Sequence, residues 1–516
     1  MSHHDFEELQ IAYSLTCLEN NTLRERVASL EDEVMRLKEL LKLQQDRLFG
    51  KSSEANLGKN DTEANPSNSE PIDLITVASH SRKKRGPRTL DTTGLPRHMV
   101  IHDLTQEQQI CNCGNPLHFV RKDISEQLEI IPTRYCIIEH IRMIYGCRTC
   151  DTIKMAPKPP APLPKAIAGP SLLTDVILGK YQYHLPLYRQ SKIMQSFGVD
   201  ILDKTLANWV MSCGEGLLKI YDALWIALQT RYLQVDETPV KVLEPNKKGY
   251  IWTYFAPNVG KGLVVFEFSE TREGSVASLR LKDFKGLLQT DAYSGYNELR
   301  NREDVVAFGC FSHARRKFAE VVKIKTDYNG IAAQMIERMK PLYELEARMK
   351  DMNATHRLRK NLRQKITRPI TKEIHKWLRS VQPRVPPKSK LGKAIAYTLK
   401  QWPYLIGYLR HGMAEIDTNH VENKIREIAL GKRNWLFIGN KASGKIHAFW
   451  YSLIISAIIN ALNPRLYVHF LLTKIHDLRL GTIDPVTLLP DRIDRLELQK
   501  FANEQIEFAR EIFNSS

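Results

Sequence analysis

At 516 residues the chain is too long for a single small module, and domains of about 100–200 residues would make it a protein of three or four. With 43% hydrophobic and 26% charged residues it can bury a sizeable core, which excludes a largely disordered or fibrous chain. Lys and Arg number 75 against 58 Asp and Glu, a net +17 that is unevenly placed: residues 1–80 carry 8 basic and 15 acidic side chains, the remainder 67 against 43. Such a basic body with an acidic tip faces polyanions, nucleic acid first among them.

The first ten residues contain Asp5, Glu7 and Glu8 and no apolar run, so no secretory signal is expected and the chain is read as cytoplasmic. Heptad spacing follows over residues 23–48. Val27, Val34, Leu41 and Leu48 fill one seam and Leu23, Leu30, Leu37 and Gln44 the other, with Asn20 at an earlier position of the first seam. The pattern predicts a coiled coil over 1–50 that joins copies of the chain, against the plainer alternative of one amphipathic helix lying on the body. A polar linker with a basic segment occupies 51–100. The segment, SRKKRGPR, places Arg82, Lys83, Lys84, Arg85 and Arg88 around a Gly-Pro pair, suited equally to DNA phosphates and to a solvated tether.

Residues 101–156 hold Cys111, Cys113, Cys147 and Cys150. Two close thiol pairs separated by strand-like sequence over 135–145 predict a hairpin that brings all four to one structural Zn²⁺. Because the first pair is C-x-C, His118, Cys136 and His140 stand as substitutes. The remaining cysteines, Cys17, Cys213 and Cys310, read as ordinary core or surface residues. Five prolines in residues 156–165 mark a boundary. Beyond them 166–228 is patterned as helices, two of them joined near Gly198 and Asp200, fitting either a DNA-binding unit or a helical prelude.

Strands are predicted over 232–242, 250–256, 262–269, 286–290 and 305–311, then a Lys/Arg-rich helical stretch to about residue 410. Asp236 lies in the first strand and Asp291 ends the fourth. Glu422 opens a later amphipathic helix. Carboxylates on adjacent strands and a covering helix could hold two Mg²⁺ or Mn²⁺ ions about 3.5–4 Å apart, the arrangement suited to phosphodiester chemistry. Asp236 would bridge the pair. Glu237 points to the other face of its strand and is the weaker candidate. Singly, each acid also fits a turn or a solvated helix face. His313, after the fifth strand, is read as structural or as an assistant at the site; Trp435 and Phe437 are read as core. Arg315, Arg316, Lys317, Arg426, Lys432 and Arg433 are candidate phosphate contacts, with a solvated surface as the alternative. The apolar run 449–462, interrupted by Ser452, Ser456 and Asn460, is too short for a bilayer span and reads as a buried helix, so no membrane partner is expected.

The strings LQTDAYSGYN, HARRKF, KSKLGKAIAYTLKQW, EIDTNHVENKIREIALGKRNWLFIGN and RLFGKSSE resemble those of the bacterial insertion sequence 66 family of DDE transposases, in the same order and over nearly the whole chain. Asp236 in VDETPV, Asp291 in QTDAYSGY and Glu422 in NHVENKIR correspond to that family's acidic triad. The resemblance implies a multidomain α/β protein: a ribonuclease H-like core over 229–445, with a helical insertion at about 320–410, followed by a helical region at 446–516. It also implies binding of terminal inverted repeats, metal-dependent 3′ end cleavage and strand transfer, a nucleoid-associated location, and small accessory proteins from the same element as partners.

Overall fold

A computed structural model describes residues 135–514 apart from 147–152, 156–159, 165, 245–246, 259 and 326–329. The expected coiled coil, the linker with Arg82, Lys83, Lys84, Arg85 and Arg88, and the thiols Cys111, Cys113, Cys147 and Cys150 lie outside the described residues. What is described near the second cysteine pair is a short antiparallel hairpin, β1 (Ile144–Gly146) and β2 (Ile153–Met155), with Ile144 opposite Met155 and Gly146 opposite Ile153. The strand expected over 135–145 shrinks to its last residues. Ile137, Ile138, Ile141 and Met143 are exposed and unpaired among the described residues, so the alternation there has no packed face to enforce a ladder.

Four helices follow: α1 (Pro170–Tyr181), α2 (Leu187–Ser196), α3 (Asp203–Gly216) and α4 (Leu218–Leu228). Proline at the first turn of α1 presets the helical φ where no amide donor is needed. Gly198, at φ +80°, turns the chain between α2 and α3.

The central sheet has the order β5-β4-β3-β6-β7. Strand β3 (Tyr232–Val242), β4 (Lys247–Ala256) and β5 (Leu263–Ser269) form an antiparallel meander. After α5 (Gly274–Arg280), β6 (Gly286–Gln289) pairs in parallel with β3; after α6 (Asn297–Arg300), β7 (Val305–Phe308) pairs in parallel with β6. The last strand is three residues shorter than the sequence suggests. Phe311 instead starts a helix, its ring buried edge-on to Trp402 and Tyr408.

That helix, α7 (Phe311–Lys325), opens an all-helical insertion with α8 (Ile331–Asp351), α9 (His356–Leu362), α10 (Arg368–Val381) and α11 (Lys390–Leu405). Its core, with Phe318, Met335, Met339, Leu342 and Leu378, grows from Tyr232, Leu287 and Phe308 on the sheet. The chain returns through α12 (Asn419–Trp435), which packs on β3 and β4, and ends in α13 (Lys441–Ile459), α14 (Pro464–Thr473), α15 (Ile475–Leu480) and α16 (Arg495–Asn514). Helix α13 runs through the boundary expected at 445/446, so the sheet domain and the C-terminal helices share an element. It is also longer than the apolar run suggests, and by length and composition it would suit a bilayer. Every residue from 446 to 457 is nevertheless buried.

Two polar side chains of α13 and the Asn460 that caps it explain how an apolar helix lies along a strand edge. Ser452 Oγ accepts from Phe266 N (2.8 Å), Ser456 Oγ accepts from Val264 N (3.1 Å) and donates to Val264 O (3.0 Å), and Asn460 donates to Gly262 O (2.9 Å) and accepts from Lys261 N (3.1 Å). Spacing by four puts all three on one helix face, where they replace the missing neighbour strand of β5. Ser456→Ala strands both Val264 backbone groups in a dry interface. It should lower the unfolding free energy by about 1–3 kcal/mol in urea denaturation.

Candidate active site

Gln234 lies directly opposite Gln289 across the parallel pair β3 and β6. Asp236 and Asp291 are each two residues further along, so both reach the same level, Asp236 within β3, which runs on to Val242, and Asp291 just past the C-terminal end of β6. Asp291 has left the strand and accepts from Tyr293 N (2.9 Å) through Oδ1, an Asx turn that folds the chain back at once. Glu422 stands in the first turn of α12. The structure thus gathers the three acids named from sequence. Burial, and then the negative fields of Glu237, Asp291 and Glu422, push the Asp236 carboxyl up to about 8, although Glu237 N donates to its Oδ1 (2.9 Å).

Glu237 is turned to other work. Its carboxylate takes a fork from Arg272 (2.8 and 2.6 Å) and the Tyr296 hydroxyl (2.6 Å). The Arg272 guanidinium lies 4.2 Å from the Tyr293 ring centroid, and its carbonyl accepts from Tyr293 OH (2.7 Å). The loop after Asp291 is therefore clamped to β3. Close approach finishes the clamp: a Cβ on Gly274 would meet Gly295 O at 2.0 Å, so only glycine lets α5 start against this loop. Arg300, buried, donates to the carbonyl of Asp291 and to Thr290 Oγ1 (2.8 Å).

A second, fully buried polar cluster joins all three acid-bearing segments from below. Gln289 accepts from the Tyr232 hydroxyl and from Gln234 (3.0 Å), and donates to the carbonyls of Gly309 and Glu415 (3.0 Å each). Gln234 also reaches the carbonyl of Asp417 (3.1 Å), and Glu415 N donates to Tyr232 OH (3.1 Å). Residues 415–417 lead straight into α12, whose start is pinned by Asn419 on the Asp417 carboxylate (2.8 Å). Sequence reasoning passed over both glutamines, yet the repeated string Leu-Gln-x-Asp at 233–236 and 288–291 marks them.

Around Glu422, Arg316 holds Oε2 at 2.6 Å, and Oε1 has no hydrogen-bond partner while His313 Nδ1 stands 3.6 Å away. Burial pushes the imidazole down from its ordinary range. Cys310, read from sequence as ordinary core, packs at the same place: its Sγ accepts from Thr418 N (3.3 Å) and Thr418 Oγ1 (3.1 Å), and burial lifts the thiol to about 12. Of the other cationic candidates, Lys317 lies 4.4 Å from the Tyr397 ring centroid and Lys432 donates to Pro239 O (3.2 Å). Arg315, Arg426 and Arg433 are exposed. Trp435 is core against His447, whereas Phe437 is exposed, contrary to expectation, because the chain turns outward at Leu436, φ +64°.

Two expectations follow. Gln289→Leu takes a donor from two carbonyls and the acceptor from the Tyr232 hydroxyl proton; it should cost at least about 1–3 kcal/mol and raise amide exchange selectively at 415–419. Asp236→Asn should stabilise the metal-free protein. An acid whose folded pKa is raised opposes folding above its unfolded value, so the variant's advantage in melting temperature grows from about pH 4 to pH 8 and then levels.

The model of the Transposase IS66 family matches residues 165–446, from the first helices through the sheet, the insertion and α12. The model of the zinc-finger binding domain of transposase IS66 matches residues 108–151, which include Cys111, Cys113, Cys147 and Cys150. Relatives from Sinorhizobium fredii (strain NBRC 101917 / NGR234) extend the likeness. The uncharacterized protein y4jD is 31% identical over 402 residues, 74% of this chain and 78% of its own length. The uncharacterized protein y4hP is 27% identical over 480 residues, 88% and 84% of the two chains. With the family's sequence pattern running through every element that carries the three acids, the chain belongs to the IS66 family of transposases.

Proposed function

We propose that this transposase binds the terminal inverted repeats of its element, hydrolyses a phosphodiester to expose a 3′ hydroxyl, and directs that hydroxyl onto a phosphodiester of target DNA. The observation that carries the reading is the convergence of Asp236, Asp291 and Glu422, where burial first, and then the negative fields of Glu237, Asp291 and Glu422, push the Asp236 carboxyl up to about 8. The 3-2-1-4-5 order of the central strands, three antiparallel and two parallel, supports a ribonuclease H-like core.

The residues fit hard divalent cations: oxygen donors only from the triad, a negative field in need of compensation, and a Glu422 oxygen without a partner. Asp236, Asp291 and Glu422 would hold Mg²⁺ or Mn²⁺, two ions, with Asp236 shared. Such ions supply charge stabilisation for the attacking and leaving oxygens of an in-line displacement. The protein's part is positional. Gln234 and Gln289 set the register of the strands, the Glu237–Arg272–Tyr293 clamp fixes the turn after Asp291, and Arg316 holds one oxygen of Glu422 while leaving the other open. Exposed Arg315 on α7 and Arg426 and Arg433 on α12 suit DNA phosphates. We assign the structural Zn²⁺ to Cys111, Cys113, Cys147 and Cys150, further phosphate contacts to Arg82, Lys83, Lys84, Arg85 and Arg88, and self-association to the heptads of residues 1–50. Accessory proteins of the same element complete the assembly.

A labelled element end, incubated with target DNA in Mg²⁺ and then Mn²⁺, tests the reading. Asp236→Asn, Asp291→Asn and Glu422→Gln should each lose cleavage and joining by on the order of 10²–10³-fold or more while end binding, followed by gel shift, persists. Cleavage that survives all three substitutions would overturn the assignment. A wild-type chain that binds ends but never cuts, even with the accessory proteins, would be a DNA-binding relic.

A further inference from the structure

Cys310, His313 and Glu422 come from two elements, the start of α7 and the first turn of α12, and their ligand atoms all lie within 4.8 Å of one another. Two of those atoms are buried without a hydrogen-bond partner and face each other at 3.6 Å: His313 Nδ1 and Glu422 Oε1. In a tetrahedral site with bonds of about 2.0–2.3 Å, neighbouring ligand atoms stand roughly 3.3–3.8 Å apart, so the set needs only small adjustments to close on an ion. The third atom, Cys310 Sγ, already receives two hydrogen bonds from Thr418. Donors on sulfur are the outer-shell support that a thiolate ligand uses. The second oxygen of Glu422 is occupied by Arg316, which directs Oε1 toward the other two.

This donor set differs in kind from the triad. One sulfur, one imidazole nitrogen and one carboxylate oxygen select Zn²⁺, or its analogues Co²⁺ and Cd²⁺, over Mg²⁺. We propose that Cys310, His313 and Glu422 form a binding site for one zinc ion at the edge of the candidate active site, and that zinc held there withdraws Glu422 from the magnesium position. The second clause rests on the function proposed above; the first does not. Such a site makes the transposase sensitive to zinc through a cysteine that takes no part in phosphodiester chemistry.

Full-length protein is stripped with chelator, reloaded with excess Zn²⁺, desalted and analysed for metal per chain. Wild type should retain one zinc more than Cys310→Ser and one more than His313→Gln; ¹¹³Cd-loaded wild type should show a one-sulfur resonance, apart from any multi-sulfur signal, that vanishes in both variants. Unfolding curves taken in chelator check the folding of each variant. If Cys310→Ser is unstable, His313→Gln carries the comparison, since its imidazole is partly exposed. Equal zinc content in wild type and a folded variant, with no one-sulfur resonance, overturns the site. In the cleavage assay, zinc should abolish magnesium-supported activity of wild type and spare that of Cys310→Ser. A zinc count that differs while wild-type cleavage resists zinc overturns the withdrawal of Glu422 but not the site. Absence of any magnesium-supported cleavage, with the accessory proteins present, fails the proposed function and leaves the metal count standing as its own test.

Discussion

Like charges repel, and this fold is arranged around bringing three of them together. Asp236 reveals the strain, its carboxyl lifted to about 8 by burial and by its acidic neighbours. A chain free to relax would move these groups apart by a few ångströms, where water screens them. The surrounding structure prevents it with two devices. One is apolar, the packing of α12 across β3 and β4; the other is the buried amide-and-phenol cluster of Tyr232, Gln234 and Gln289. Because every polar atom buried there without a partner carries a penalty, the cluster tolerates one register of strands and loop and resists slippage.

The helical insertion contributes to the same end from the far side. Arg363, fully buried, forks onto Glu346 at 2.7 Å through two nitrogens, and Arg359 bridges Glu346 to Glu415. Glu415 also offers its backbone to Tyr232 and Gln289. The segment leading into Glu422 is thereby held between the sheet and the insertion. Removing a single partner of such a pair leaves a buried charge uncompensated, so the insertion is structurally coupled to the third acid rather than appended to the core.

Much of this was legible in the chain. The strands announced themselves because β-branched and aromatic residues recur between turn residues, with Asp236 inside one of them and Asp291 just past the end of another. The insertion and α12 followed from helical periodicity. What escaped has physical reasons. Residues 305–311 are apolar throughout, so periodicity could not show where strand gives way to helix, and the burial of Phe311 decided it. A glutamine inside a strand resembles a solvent-facing residue until its partners are known; Gln234 and Gln289 became intelligible only as a facing pair. Cys310 and His313 are three apart on paper, but their relation to Glu422 depends on more than a hundred intervening residues folding back.

The polar stripe of α13 has a further consequence. An open strand edge is a template on which a second chain can add, and a protein made in excess or awaiting its DNA would be exposed to that route of self-assembly. Ser452 and Ser456 occupy hydrogen-bonding groups of β5, and Asn460 those of the residue just before it, from within the same chain, at the cost of polar residues along a buried helix face. The long hydrophobic run that looks hazardous for solubility is thus the element that denies this flank of the sheet to aggregation.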